Sequence, residues 1–375
     1  MDEKEIKERY KVERRIREIE KYNHNIREEY NAFKSKKDAL FYICIIKTNA
    51  PQRPKDPIEI KIFVFENQNS HLHVLEKEDA KQVENGWKDL LEKLLKNKNI
   101  GEIRKCGDFF YEKLLGNKLI LPSILSNERN GMGGIWISCA VAIIDPIWEW
   151  LCPKCSNGEG FFWGDNFSIV RLPEDCKFEE YDLQLTNTTI LKDEGCYARN
   201  DLSCLNKLSG AVTPLKLYDL EDPMTLNSFD SIHVAANRKP FEKHIKNAIE
   251  TALAIETSLF SSKFLFLNIC KSDEDSNTQE LYKEYLSAQD ILLKLKKLNV
   301  ATAWIHTGFD VPDSFAHLFA KCFYDEFRNM KKNVPEAVKN AREKIKSLPG
   351  VDERNSFWRL AYVANGNPCA KFSWI

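Results

Sequence analysis

The sequence predicts an α/β fold: a mostly parallel sheet with helices on both faces, preceded by an N-terminal helix and a β-rich N-terminal half. Three apolar runs carry that reading, 231–237, 264–270 and 300–306, and each stops on a polar or reactive residue, Asn237, Cys270 and His306. Short apolar runs bounded by polar residues read as strands buried on both faces, the usual state of a parallel strand. Helical patterns over 240–257, 278–298, 313–330 and 335–346 alternate with these runs, and strand–helix alternation builds parallel sheets.

At 375 residues the chain exceeds the size at which one core stops growing, so more than one packed unit is expected. We divide it into a charged N-terminal helix (1–40), an N-terminal α/β half (41–210) and a core carrying the parallel strands (211–375). Residues 2–38 place Ile16, Ile19, Ile26, Tyr30 and Phe33 at spacings of three and four, an amphipathic pattern that predicts one helix. Its stripe either packs on its own domain or serves a partner or a second copy. Asn23 on that stripe argues against a long coiled coil. Residues 40–46 and 58–65 are β-rich runs separated by Pro51, Pro54 and Pro57, a hairpin with a long loop. His71 and His73 share one face of the following strand, but no third metal ligand accompanies them. Helices are expected over 80–96 and 107–115, and strands within 131–144 and around 161–170. The stretch 172–228 has few periodic positions and reads as an irregular connection.

Composition narrows the function classes. Lys and Arg number 55 against 56 Asp and Glu, for a net charge of −1, which removes the electrostatic argument for a dedicated nucleic-acid or membrane-surface binder. The basic stretches 294–297 and 328–332 lie on helices flanked by acids and read as solvated faces. No apolar run approaches a membrane span, and no leader-like segment opens the chain, so a cytoplasmic protein is expected. Eleven cysteines, an odd number in a long chain, are expected to be reduced thiols filling core positions. Cys152 and Cys155 have the spacing of half a zinc ribbon; without a second such pair, an unmetallated loop is the better reading. Gly131, Gly133 and Gly134 lack the Lys-Ser/Thr of a phosphate-cradling loop. No cofactor is expected.

Ligands of open α/β sheets bind at the carboxyl ends of parallel strands. Cys270 ends one such strand, where a nucleophile belongs, and Asn237 ends the run before it, where a cysteine peptidase of this design carries the imidazole that takes the thiol proton.

These residues bring a family resemblance with them. The stretches 229–237, 264–270 and 300–306, then Asp310-Val311-Pro312-Asp313, Phe323-Tyr324, the helix 335–342 and the ending from Trp358 to Pro368 resemble the CHAT domain in order and spacing. Upstream, 145–151 with its Pro-Ile-Trp-Glu and 107–115 resemble the segments that precede the family's core. The resemblance covers most of the chain from about residue 100 onward. It implies a caspase-like, separase-like cysteine peptidase fold whose catalytic pair is a His and a Cys at successive strand ends. Here the Cys position is Cys270 and the His position holds Asn237. His233 also has a family counterpart, the structural position; four strand residues span about 13 Å, so it does not replace the missing base. His306, on the next strand, is the candidate substitute, weighed against a core histidine, with His244 behind it. The resemblance further implies a role in bacterial or archaeal defence or signalling assemblies switched by a protein partner.

Three readings follow. An active peptidase would use Cys270, a non-standard base and an oxyanion hole of backbone amides near the two strand ends. A degenerate peptidase would keep the fold as a regulatory or partner-binding surface; losing a general base costs about 10² to 10⁴ in rate, and Asn cannot take a proton. A nucleic-acid module ranks last. We favour the degenerate peptidase, with a protein or peptide as its partner.

Overall fold

The computed structural model describes residues 3–21, 24–36, 39–48, 59–66, 69–96, 100–116, 134–139, 148–153, 161–173, 176, 178–193, 198–207, 212–254, 262–271, 301–308, 311–329, 332–351 and 356–374. The chain forms two compact units, Met1–Cys176 and Lys177–Ile375.

The first unit begins with two helices, α1 (Glu3–Ile19) and α2 (Ile26–Ser35), where the sequence predicts one. The linking residues include His24 and Asn25, of lower helix propensity than the flanking segments. Breaking the helix there lets each half lay its stripe on the same sheet, β1 (Ala39–Thr48), β2 (Glu59–Glu66), β3 (Asn69–Leu75), β4 (Gly134–Cys139) and β5 (Ser168–Leu172). Ile16, Ile19, Ile26, Tyr30 and Phe33 are all buried. The Tyr30 ring lies 5.2 Å from Phe65, and Phe33 lies 6.0 Å from Tyr42 and 6.1 Å from Trp136. The unit's own sheet therefore covers this stripe, the first of the two roles expected for it. Arg27 ties the helices together through Glu13 at 3.0 Å and Glu20 at 2.8 Å.

The hairpin is present: β1 and β2 pair antiparallel, as do β2 and β3, while β1–β4 and β4–β5 are parallel. Helices α3 (Lys77–Leu95) and α4 (Ile100–Leu115) pack on this unit through Trp87 and Phe110. The half-buried His73 uses Nε2 on the Lys113 carbonyl at 2.8 Å, and a single-turn helix, Trp163–Asn166, interrupts the run expected to be strand. Glu149 and Arg171 form a fully buried, two-pronged ion pair.

The second unit holds the parallel strands. Its sheet runs β13–β11–β10–β9–β7–β8, with β7 (Thr188–Lys192), β8 (Val212–Lys216), β9 (Ser231–Asn237), β10 (Phe264–Lys271), β11 (Ala303–Thr307) and β13 (Tyr362–Gly366). All neighbours are parallel except β11–β13. A smaller pair, β6 (Asp182–Leu185) and β14 (Lys371–Trp374), lies apart. The stretch expected to be irregular, 172–228, thus contributes three strands and the helix α5 (Ala198–Leu205). Strands of four or five residues are too short to show a period, and β7 is buried on both faces, which erases alternation.

Both faces of this sheet are covered. On one, α6 (Arg238–Ala254) packs Phe241, Ile245 and Ala248 against Ile232, Val234, Leu265, Leu267, Ile269 and Trp304. On the other, α7 (Asp313–Asn329) packs Phe319, Phe323 and Phe327 against Phe264 and Phe266, with ring separations of 5.3 to 6.5 Å. Burying each such aromatic contributes roughly 2 to 3 kcal/mol. Helix α8 (Val334–Ser347), capped by Asn333 Oδ1 on the Glu336 amide, follows α7. The helix expected over 278–298 lies outside the described residues. Among those described, no helix is long and apolar enough to cross a membrane.

Candidate active site

Parallel pairing of β9 with β10 sets Asn237 directly beside Cys270 at the carboxyl ends of the strands. The short strand β12 (Val311–Pro312) then pairs with the end of β10, Val311 against Cys270, so α7 starts over the thiol with Asp313 as its first residue. The thiol is almost wholly enclosed, at 1% exposure. It donates to Asp313 Oδ1 at 3.1 Å and lies 3.5 Å from the Ala236 carbonyl and 3.9 Å from Asn237 Oδ1. Asn237 turns its other end outward, Nδ2 donating to Asp193 Oδ2 at 3.3 Å. Carbonyl, amide and carboxylate oxygens thus lie against the sulfur.

Side chains alternate across a strand, so register decides which groups can meet Cys270. In the β10–β11 pairing His306 stands opposite Leu267. Leu265, Leu267 and Ile269 point to the α6 face, and the His306 ring lies tilted, 5.0 Å from Trp304, which packs in that same hydrocarbon layer. Cys270, three positions along from Leu267, points to the α7 face. His306 is therefore buried on the wrong side of the sheet to serve the thiol. His244, on α6, bonds Glu221 Oε1 at 2.5 Å and is no nearer.

The α7 face carries a polar network instead. His233, Asn268 and Cys270 all project there, since His233 pairs with Phe266 and Asn237 with Cys270. At its centre is Asp201 of α5, buried. His233 Nε2 lies 3.0 Å from Asp201 Oδ2, Asn268 Nδ2 lies 3.0 Å from the same oxygen, and His317 Nδ1 of α7 lies 2.9 Å from Oδ1. Burial alone would push the Asp201 carboxyl up, but hydrogen bonds from His233 and His317, with smaller help from Asn268, hold it below the ordinary range. It is an ionised acceptor, so both imidazoles must donate to it. In a neutral imidazole that leaves the other ring nitrogen as the acceptor. His233 Nδ1 becomes an acceptor for the Tyr324 hydroxyl at 2.7 Å, and burial, helped by Asp201 and Cys204, keeps Tyr324 protonated well above its usual range. Asn268 is satisfied at both ends, donating also to the Ala316 carbonyl at 3.2 Å and accepting from Tyr362 at 2.9 Å.

The structure thus joins Cys270 and Asn237, keeps His233 on their side as a network member four positions back along β9, and separates His306 from all three. It adds Asp313, Asp201 and His317, which the sequence reading missed. Three non-apolar residues at alternate positions of apolar runs, His233, Asn268 and Cys270, were the available sign of a polar face. Cys152 is buried, its amide bonded to the Gly107 carbonyl, while Cys155 lies outside the described residues. Among the described residues no group of three or more His, Cys, Asp or Glu is placed to hold a metal.

No protein-family model matches the chain, and no curated protein does. Among solved structures it is similar to two crystal structures of the Saccharomyces cerevisiae separase–securin complex. One aligns at 12% identity with a TM-score of 0.43, covering 93% of this chain and 31% of the other. The second aligns at 12% identity with a TM-score of 0.44, covering 92% and 31%. This chain spans under a third of the length of these two chains.

Proposed function

We propose that this chain is a CHAT-like protein of caspase-type fold whose peptidase centre is degenerate, acting in the cytoplasm as a regulatory or partner-binding subunit of a bacterial or archaeal defence or signalling system. One observation carries the reading: beside Cys270, at the strand end where the mechanism wants an imidazole, stands the amide of Asn237. Peptide hydrolysis needs the thiol proton removed for attack and a proton delivered to the leaving amine. An amide does neither. The carboxylate at 3.1 Å is a poor substitute: ordinary thiols and carboxylic acids differ by about 4 to 5 pKa units, so that transfer runs uphill by about 6 kcal/mol. The ordered resemblance from about residue 100 supports the family context, and the near-zero net charge favours a protein or peptide partner over nucleic acid.

The test is cleavage of a mixed fluorogenic peptide pool by the full chain. The wild type is expected to show no turnover that Cys270→Ala removes, and Asn237→His is expected to introduce Cys270-dependent turnover. Robust cleavage by the wild type, lost in Cys270→Ala, overturns the reading.

A further inference from the structure

We infer that His317, its ring held by Asp201, is the proton acceptor available to the Cys270 thiol in this chain, and that Asp313 keeps the thiol from it. The inference rests on reading Cys270 as the nucleophile position but does not require that peptides be cleaved.

Two relations place the groups close together, one along α7 and one along β10. Along α7, His317 follows Asp313 by one turn, which sets their Cβ atoms about 6 Å apart, and helical side chains lean toward the helix N-terminus. His317 therefore leans toward the carboxylate that receives the Cys270 thiol at 3.1 Å. Along β10, Asn268 lies two residues before Cys270 on the same face and bonds Asp201, which bonds His317. Because Asp201 takes the Nδ1 proton, Nε2 is left as the basic nitrogen, as in His–carboxylate pairs that accept protons. His317 retains 25% side-chain exposure while Asp201 has 3%, so the ring is anchored at one end and open at the other. Among the described residues, the titratable groups near it include Asp201, which it bonds, His233 and Cys204, which both interact with Asp201, and Asp313 and Lys321 of its own helix.

In the proposed step Asp313 swings off the sulfur, the thiol proton passes to His317 Nε2, and the imidazolium is stabilised by the Asp201 charge. With iodoacetamide the thiolate then attacks the methylene carbon; the S–C bond forms, the C–I bond breaks and iodide leaves. Asp201 is a positioning residue in this scheme.

The experiment follows iodoacetamide labelling of the full chain across pH, quantifying the Cys270 peptide by mass spectrometry. Asp313→Asn is expected to raise the Cys270 labelling rate at neutral pH about tenfold or more. In that background His317→Asn is expected to lower it by at least about tenfold and to move the pH midpoint upward. His317→Gln serves as a second variant should His317→Asn fold poorly, and His306→Ala is expected to change nothing. Equal rates and pH profiles with and without His317, or no labelling gain in Asp313→Asn, overturn the inference. Peptide cleavage by the wild type would overturn the degenerate-centre reading and leave this one standing.

Discussion

Replacing Asp201 with Ala removes the hub of the α7-face network, and the structure sets the size of the effect. Three donors lose their acceptor: His233 Nε2, Asn268 Nδ2 and His317 Nδ1. Hydrogen bonds to a charged group contribute about 1.5 to 3 kcal/mol each, but the desolvation of the carboxylate is relieved when it goes. His317, partly exposed, recovers water. His233 and Asn268, both buried, do not. The net expectation is a loss of about 3 to 5 kcal/mol, the range for breaking a buried charge-bearing pair. Asp201→Asn, which keeps one acceptor oxygen, is expected to fall between the two. Because a chain of two units has no single unfolding free energy, the measurement is native-state hydrogen exchange of the β9 and β10 amides, which reports opening of this unit alone. The sign with pH follows from the lowered Asp201 carboxyl. A depressed folded pKa gives stability that is present above the unfolded value and lost as pH falls through the folded one. The gap between wild type and Asp201→Ala is therefore expected to be full at neutral pH and to narrow below about pH 4. A loss under about 1 kcal/mol, or a gap that widens in acid, refutes the account of the network as an ionised hub.

Two further outcomes are expected. Gly366 has φ +110°, and a Cβ there would meet the Thr302 carbonyl at 2.4 Å and Ala303 Cα at 2.5 Å; Gly366→Ala is expected to cost about 3 kcal/mol or more in hydrogen-exchange stability of β11 and β13. The Asp230 carboxyl, despite burial, is held down to about 2 by Lys263 and by Thr186 and Asn187; its contribution is present above about pH 4 and lost as pH falls toward 2, so acid-unfolding curves of wild type and Asp230→Asn should converge in that window.

Much of this fold is legible in the sequence, and the failures share a cause. The first hairpin, α3, α4, α7, α8 and the three parallel strands all carry periodic or apolar signals longer than their noise. The parity of the strands does not. A strand buried on both faces is apolar at odd and even positions alike, so nothing in 300–306 tells whether His306 points with Cys270 or away from it; only the register, Leu267 against His306, decides. The break between α1 and α2 was hidden because both halves keep one stripe in phase. Asp201 and His317 meet across 116 residues, and Asp313 reaches Cys270 across 43. A single Asp in a polar stretch has no local sign of such a role.

The two faces of the second sheet then differ in a way that stability alone does not explain. Under α6 the layer is hydrocarbon, with His306 packed into it, and hydrocarbon is sufficient to hold a helix on a sheet. Under α7 lie a buried carboxylate, a buried imidazole, an amide and two phenols joined by hydrogen bonds, with the partly exposed His317 ring tied in at Nδ1. Apolar side chains of similar volume would often pack such a space with equal or greater stability. What a paired network adds is direction: each ring is tied at a named atom, and the low dielectric makes each tie stiff. One carboxylate, Asp201, fixes the His317 imidazole, and another, Asp313, occupies the Cys270 thiol. A face built only for packing requires neither, and a working Cys–His pair would require the first without the second.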